Sequence, residues 1–214
     1  MRELVLFSDL SPEDFALIRR PIDERRFGNG ESLYRAGDSP DYLFTVRHGL
    51  VKLEQYLPDG TQRIVRLARP GDLIGLETLL RNPYGHDAVV LQPVLVCRIP
   101  VDVIKQLDRQ VPELAQKLME RWQRALTEAD SWLTELATGS TQVRVARLLI
   151  HLVGDDPEGS CYLPGREDIA AIIGTATETA SRVVAEFRRS GFIEERGSHR
   201  IRVDRKMLAR ISSR

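Results

Sequence analysis

Between Pro112 and Gly139 the chain carries neither glycine nor proline, the longest such run it contains. Within it Leu114, Leu118, Trp122, Ala125, Ala129, Trp132 or Leu133, and Leu136 recur at steps of three and four, the spacing of an amphipathic helix. At 1.5 Å per residue, 112–137 predicts a helix of roughly 39 Å. A near-heptad seam of that length, lying between two other sections, pairs with its own copy more readily than it covers a small domain. Residues 112–137 are therefore expected to form a dimerisation helix with Leu118, Trp122, Ala125, Ala129, Trp132 and Leu136 at the seam. Packing within one protomer is the alternative.

The sections on either side differ in kind. Residues 1–110 alternate β-branched runs with glycine, as in FGNGESLYRAGD, LFTVRHGLVKLEQYLPDGTQRIVRL, ARPGDLIGLE and AVVLQPVLVCRIP. Gly30, Gly37, Gly49, Gly60, Gly71 and Gly75 supply turn signals, which predicts an all-β barrel or sandwich. Tyr56-Leu57-Pro58-Asp59-Gly60, followed by TQRIVRL, reads as a hairpin turn. Short helices are expected at Ser11–Arg20, with Ser11 as N-cap, and at Pro100–Leu107. Residues 138–214 read as helix (Gln142–Val153), loop (GDDPEGSCYLPG), helix (Arg166–Ile173), turn, helix (Thr177–Ser190) and the hairpin FIEERGSHRIRV.

Composition narrows the function. The chain has 214 residues, 42% hydrophobic and 29% charged, as an ordinary globular protein has. Its start, MRELVLFSDLSPEDF, lacks a long apolar run, so no signal peptide or membrane span is expected. Two cysteines, Cys97 and Cys161, build neither a disulfide framework nor a metal knuckle, and the reading is a cytoplasmic protein. Net charge is zero but uneven. Residues 138–214 hold 13 Lys/Arg against 10 Asp/Glu, or +3, which leaves −3 for 1–137. From Arg182 onward the count is 10 against 4, or +6, which fits the footprint of a nucleic-acid partner and equally a solvated basic face. No GxSxG, Walker, HExxH or paired-cysteine motif occurs, so an enzyme is not expected.

The segment REDIAAIIGTATETASRVV has helix-turn-helix spacing, with Ala170 in the first helix, Gly174 in the turn, and Ala180 and Val183 facing inward. The following hairpin makes it a winged version. The second helix carries Ala180, Val183, Val184 and Phe187 on one side and Thr177, Glu178, Ser181 and Arg182 on the other. Short hydroxyls permit close approach to a duplex, Arg182 can fork onto guanine, and Glu178 can accept from a cytosine amino group. Thr177 and Thr179 are better placed for phosphates, and Arg188 and Arg189 read as solvated charge. A second reading stands beside this one: Thr175-x-x-Glu178 also spells a capping box, in which Glu178 only closes the helix.

With a glycine-punctuated β section, a long helix and a winged reader in this order, the chain resembles the Crp–Fnr family of bacterial transcription regulators. The likeness rests on FGNGESLYRAGD, PDGTQRIVRLARPGDLIG, the Trp/Leu helix and REDIAAIIGTATETASRVVAEFRRSGFI. It implies an α+β fold: a β-roll like the cyclic-nucleotide-binding domains (1–111), a dimerisation helix (112–137) and a winged helix-turn-helix DNA-binding domain (138–214). It also implies a homodimer on double-stranded DNA, with RNA polymerase as a further partner. Glu178-x-x-Ser181-Arg182 looks like the Fnr-type branch, which implies a TTGAT-like half-site in an inverted repeat. Thr177 stands where the cyclic-AMP-responsive branch carries Arg.

The effector region of the family would map to Gly75, Leu76, Glu77, His86 and Asp87. Cyclic-nucleotide-binding members place a Glu for the ribose after GDLIG, and an Arg-Ser pair for the phosphate. Here Glu77 is displaced by one residue and His86-Asp87 replaces Arg-Ser. Asp87 repels a phosphate and a neutral imidazole holds it poorly, so cyclic AMP is not expected. An iron–sulfur cluster needs four thiolates, whereas residues 1–30 hold no cysteine and the chain has two. Cys97 reads most simply as a small buried hydrophobe. Haem, with His48 or His86 as ligand, an effector of another kind, and no small ligand at all are open readings.

Overall fold

The computed structural model describes residues 22–108 and 111–213. The helix expected over 11–20 lies outside the described residues. The described chain divides into two compact units, 22–55 with 65–128 and 56–64 with 129–213, so that one break falls between Glu128 and Ala129 inside the long helix.

The first unit is built on a sheet of β1 (Asp23–Phe27), β2 (Ser32–Tyr34), β3 (Tyr42–Tyr56), β4 (Gln62–Ala68), β5 (Leu73–Ile74) and β6 (Asp87–Pro100). The order is β1-β6-β3-β4, with β2 on β6 and β5 on β3. β3 and β6 run antiparallel over most of their length and change register between Val46 and Val51. Gly49 lies in that stretch with φ +88°, and a Cβ on it would collide with the carbonyl oxygens of Gln92 and Pro93 on β6. Glycine therefore permits both the positive φ and the close approach that bend the long strand pair into a roll. Leu57 accepts from Gly60 N across the β3–β4 turn, and Asp59 accepts from Thr61 N, as the Pro-Asp-Gly signal predicts.

Inside the roll, Val46, Val51, Leu53, Ala68, Ile74, Val90 and Val96 form one apolar cluster. Leu43, Leu73, Leu76, Ile99, Val103, Ile104 and Leu107 form a second, which receives α1 (Val101–Asp108). Leu114 and Leu118 of α2 (Pro112–Ser131) join that second cluster. Cys97 is buried there, its thiol near a Glu24 carboxylate at 4.0 Å, and Cys161 is also buried. Burial pushes the Cys97 thiol up, against the pull of Arg47. Native protein should accordingly react slowly with a thiol-directed disulfide reagent and release both thiols only after denaturation. A fast native phase would contradict this placement.

The second unit opens with a π-helical turn, Trp132–Leu136, which directly follows α2. Trp132 donates its indole N–H to His151 Nε2 at 3.0 Å, and the rings meet edge to face. The partner is on α3 (Thr141–Val153), which Ser140 caps through Val143 N. Arg147 of α3 donates to the backbone carbonyls of Glu135, Thr138 and Ser212, tying the turn to the chain end. Next come α4 (Arg166–Ile173), α5 (Thr177–Arg189) and a sheet of β7 (Ser160–Tyr162), β8 (Ile193–Glu195) and β9 (Arg200–Val203) in the order β7-β9-β8. α6 (Arg205–Ser212) closes the unit against α3. Neither β7 nor α6 is signalled by the sequence: β7 is three residues inside a loop-like stretch, and α6 follows the wing without a glycine or proline break.

Candidate nucleic-acid interface

α4 ends where Gly174 turns left-handed at φ +64°, and the amides of Gly174 and Thr175 both donate to the Ala170 carbonyl. This double closure stops α4 and lets α5 start three residues later. Arg144 of α3 reaches the Ile173 and Gly174 carbonyls, fixing the turn from below. On α5, Ala180, Val183, Val184 and Phe187 are buried, and Phe187 meets Phe192 edge to face. With one side of the helix committed to the core, Glu178 and Arg182 stand exposed on the other, and Thr177 and Ser181 are half-buried beside them. Thr179 is half-buried too but lies at the flank, next in angle to Val183.

The capping-box reading fails. The N-cap of α5 is Ala176, one residue later than expected, and no side chain caps the helix. Glu178 is thus at the second helical position, where its carboxylate is not used to close the first turn. Arg188 pairs with Glu195 of β8 at 3.1 Å, and Gln142 holds Glu186. Both residues are spent on the unit itself, whereas Arg182 and Glu178 are not seen in such pairs among the described residues.

Between α5 and the wing runs a groove of about 460 Å³, bordered by Arg166, Ser181, Arg188, His199 and Arg200. His199 holds a left-handed backbone at φ +58°, stacked on Tyr162 at 5.4 Å. Sequence reasoning passed over Arg166, His199 and Arg200; the basic excess from Arg182 onward covers Arg200 but not Arg166. A groove that carries Arg166 and Arg200, with Arg188 already paired to Glu195, lies beside the exposed reading face and suits a phosphate chain.

The long helix carries two apolar stripes rather than one. Leu114 and Leu118 are buried in the β-roll unit, and Trp132 and Leu136 are buried in the second unit. Ala125 shares their side of the helix and is half-buried. Three of the six seam residues expected from the sequence, Leu118, Trp132 and Leu136, are therefore consumed within the protomer. Met119, Trp122, Leu126 and Leu133 are 67%, 40%, 53% and 68% exposed. With exposed Ala129 they recur at 119, 122, 126, 129 and 133, a regular three-four repeat about 90° round the helix from the first.

In the sensor region Gly75, at φ +82°, starts a 3₁₀ turn over Leu76–Leu80. Leu76 is buried in the apolar cluster. Glu77 accepts from Gly85 N at 3.3 Å, and Asp87 accepts from Ala36 N at 2.7 Å. Burial pushes the His86 imidazole down, with Glu77 opposing and Arg66 reinforcing the shift. The Tyr34 hydroxyl is buried without a hydrogen-bond partner, and burial pushes it well up, with Glu77 adding to the effect. Arg66 of β4 donates Nε to a Glu128 carboxylate oxygen of α2 at 3.3 Å.

The sequence matches the cyclic nucleotide-binding domain family over residues 24–110 and the Crp-like helix-turn-helix domain family over residues 143–211. It is 28% identical to the transcriptional activator protein anr of Pseudomonas aeruginosa, over 81% of this chain and 73% of that protein. The electron transport regulator A of Shewanella oneidensis is 26% identical over 90% of this chain and 77% of its own. The chain belongs to the Crp–Fnr family of transcription regulators. Its fold matches FixK2 from Bradyrhizobium japonicum with a TM-score of 0.80, at 23% identity over 90% of this chain and 98% of that one. A CRP/FNR-family transcriptional regulator from Thermus thermophilus aligns with a TM-score of 0.71 and 26% identity, over 90% and 99% of the two chains.

As a Crp–Fnr regulator this protein is a DNA-binding protein and its relatives are transcription regulators, not enzymes. Asp87, which the resemblance sets in place of an Arg-Ser pair, has its carboxylate fixed by the Ala36 amide. Of the two histidines of the haem reading, His48 is exposed on β3 and His86 is half-buried. Among the described residues no helix is long and apolar enough to cross a membrane.

Proposed function

We propose that the protein acts as a homodimer that reads an inverted repeat with TTGAT-like half-sites, one α5 per half-site. The observation that carries this is the exposed Glu178/Arg182 face on a helix whose opposite side is locked into the core. Arg182 reads the guanine of the half-site with both fork nitrogens, and Glu178 accepts from a cytosine amino group on the complementary strand. Ser181 lets the helix approach closely. Thr177, Thr179, Arg166 and Arg200 hold phosphates and set the register. Met119, Trp122, Leu126, Ala129 and Leu133 form the dimer seam, which brings the two readers to successive major grooves roughly 34 Å apart.

Selection from randomised duplexes tests this directly. Recovery of an inverted repeat with TTGAT-like halves supports the reading; recovery of no shared sequence overturns it.

Cyclic nucleotides are not the effector in this reading. At millimolar cyclic AMP or cyclic GMP neither the melting temperature nor the DNA affinity should change. A ligand at a hundred times its dissociation constant would add about 2.7 kcal/mol to stability, a shift easily seen. A clear shift would restore the nucleotide reading of the β-roll.

A further inference from the structure

The inward side of α2 changes character along its length. Leu114 and Leu118 pack into the β-roll cluster, but Arg121 and Glu128, on the same side, are charged. Arg121 donates to the Gly71 carbonyl at 3.0 Å, and Glu128 receives Arg66 Nε at 3.3 Å. Arg66 and Glu128 retain only 16% and 19% side-chain exposure, so their charges are largely withdrawn from water. Asp72 completes the set; burial pushes its carboxyl up, and Arg66 pulls it back down. The Arg66 charge is also felt at His86 of the expected effector region, where it reinforces the downward push of burial.

We propose that the Arg66–Glu128 ion pair does the work of an effector, bridging the β-roll to the long helix so that the DNA-binding arrangement forms without a small ligand. The inference rests on the DNA-reading function above and assigns its control. An effector can favour one arrangement only through contacts it makes better there, and a bridge between sensor and helix is such a contact. Here the bridge is covalently part of the chain and so present at saturating effective concentration. Its position matters for the seam as well. Glu128 lies between Leu126 and Ala129 in sequence and about a quarter-turn to a half-turn from the exposed stripe, so holding Glu128 fixes the rotation of α2 about its own axis. That rotation decides whether Trp122 and Leu126 face a second copy squarely.

A half-buried ion pair is a poor source of net stability, because desolvation offsets the attraction, but losing one partner leaves an uncompensated charge. This separates a positioning role from a merely structural one. Arg66→Met and Glu128→Gln should each weaken binding of the selected duplex by at least about fivefold, the lower end of ordinary coupling between sites. The double variant R66M/E128Q should melt near wild type, with no charge stranded, yet bind DNA as weakly as the single variants. The reversed pair R66E/E128R should recover much of the affinity. Wild-type protein unfolded in denaturant, dialysed and refolded should bind as tightly as before. Single variants with wild-type affinity, a double variant that regains it, or refolded wild type that has lost it would each overturn the proposal. Wild type that binds no duplex at any stage would instead overturn the DNA-reading function itself.

Discussion

Leu126→Glu should convert the protein to a monomer and lower affinity for an inverted-repeat duplex by roughly 10²- to 10⁴-fold, the contribution of holding two readers together. Leu126 is 53% exposed in the protomer, so the substitution should leave protomer folding within about 0.5 kcal/mol of wild type. In a dimer the same carboxylate would be buried against Met119, Trp122 or Leu126 of a second copy, without a partner charge. Leu118→Ala is the informative contrast. Leu118 is buried in the β-roll cluster, and its truncation should cost about 2–5 kcal/mol of protomer stability. Sedimentation and duplex titration on both variants distinguish the two stripes. A wild type that sediments as a monomer at micromolar concentration while holding the palindrome tightly would refute the seam.

Arg182→Ala is expected to cost on the order of 1–3 kcal/mol per half-site, and twice that on the full repeat, with the loss concentrated at one guanine. Arg182 is exposed and forms no part of the core, so melting should barely change. Glu178→Ala should relax discrimination at the neighbouring base pair. Since Ala176 is the N-cap and no side chain caps α5, Glu178→Ala is not expected to show the stability loss of a broken cap, about 1 kcal/mol. Arg188→Ala should weaken all sequences alike or leave binding unchanged, because Arg188 already pairs with Glu195. Repeating the duplex selection with each variant reads all three. Unchanged base preference in both Arg182→Ala and Glu178→Ala would mean that this face does not read bases.

The charged middle of α2 links these expectations. Apolar contacts attach the start of the helix to the β-roll, and the turn that follows it buries Trp132 and Leu136 in the second unit. Where α2 passes into that π-helical turn, Trp132 is held by His151, and Arg147 gathers the adjacent carbonyls. π-Helical turns recur at functional sites because they depart from regular helical bonding at a defined place.

What the sequence by itself determined is local. Ala170, Gly174, Ala180 and Val183 mark the helix-turn-helix because a tight crossing needs small residues and a left-handed turn needs glycine, and both requirements are met within fifteen residues. The α4 bounds, Arg166–Ile173, coincide with those read from the sequence. Glycine spacing announced the β-roll for the same reason. The tertiary structure decided three other matters. It divided the apolar residues of the long helix between two faces, since spacing of three and four fits both stripes and only contact with Leu43, Ile104 or His151, distant in the chain, settles which side is covered. It placed the α5 N-cap at Ala176 instead of Thr175, because the double closure on Ala170 delays the helix by one residue. It also paired Arg66 with Glu128, 62 positions apart. No periodicity records such a pair: each residue alone reads as surface charge, and only the tertiary fold sets the two together, largely out of water.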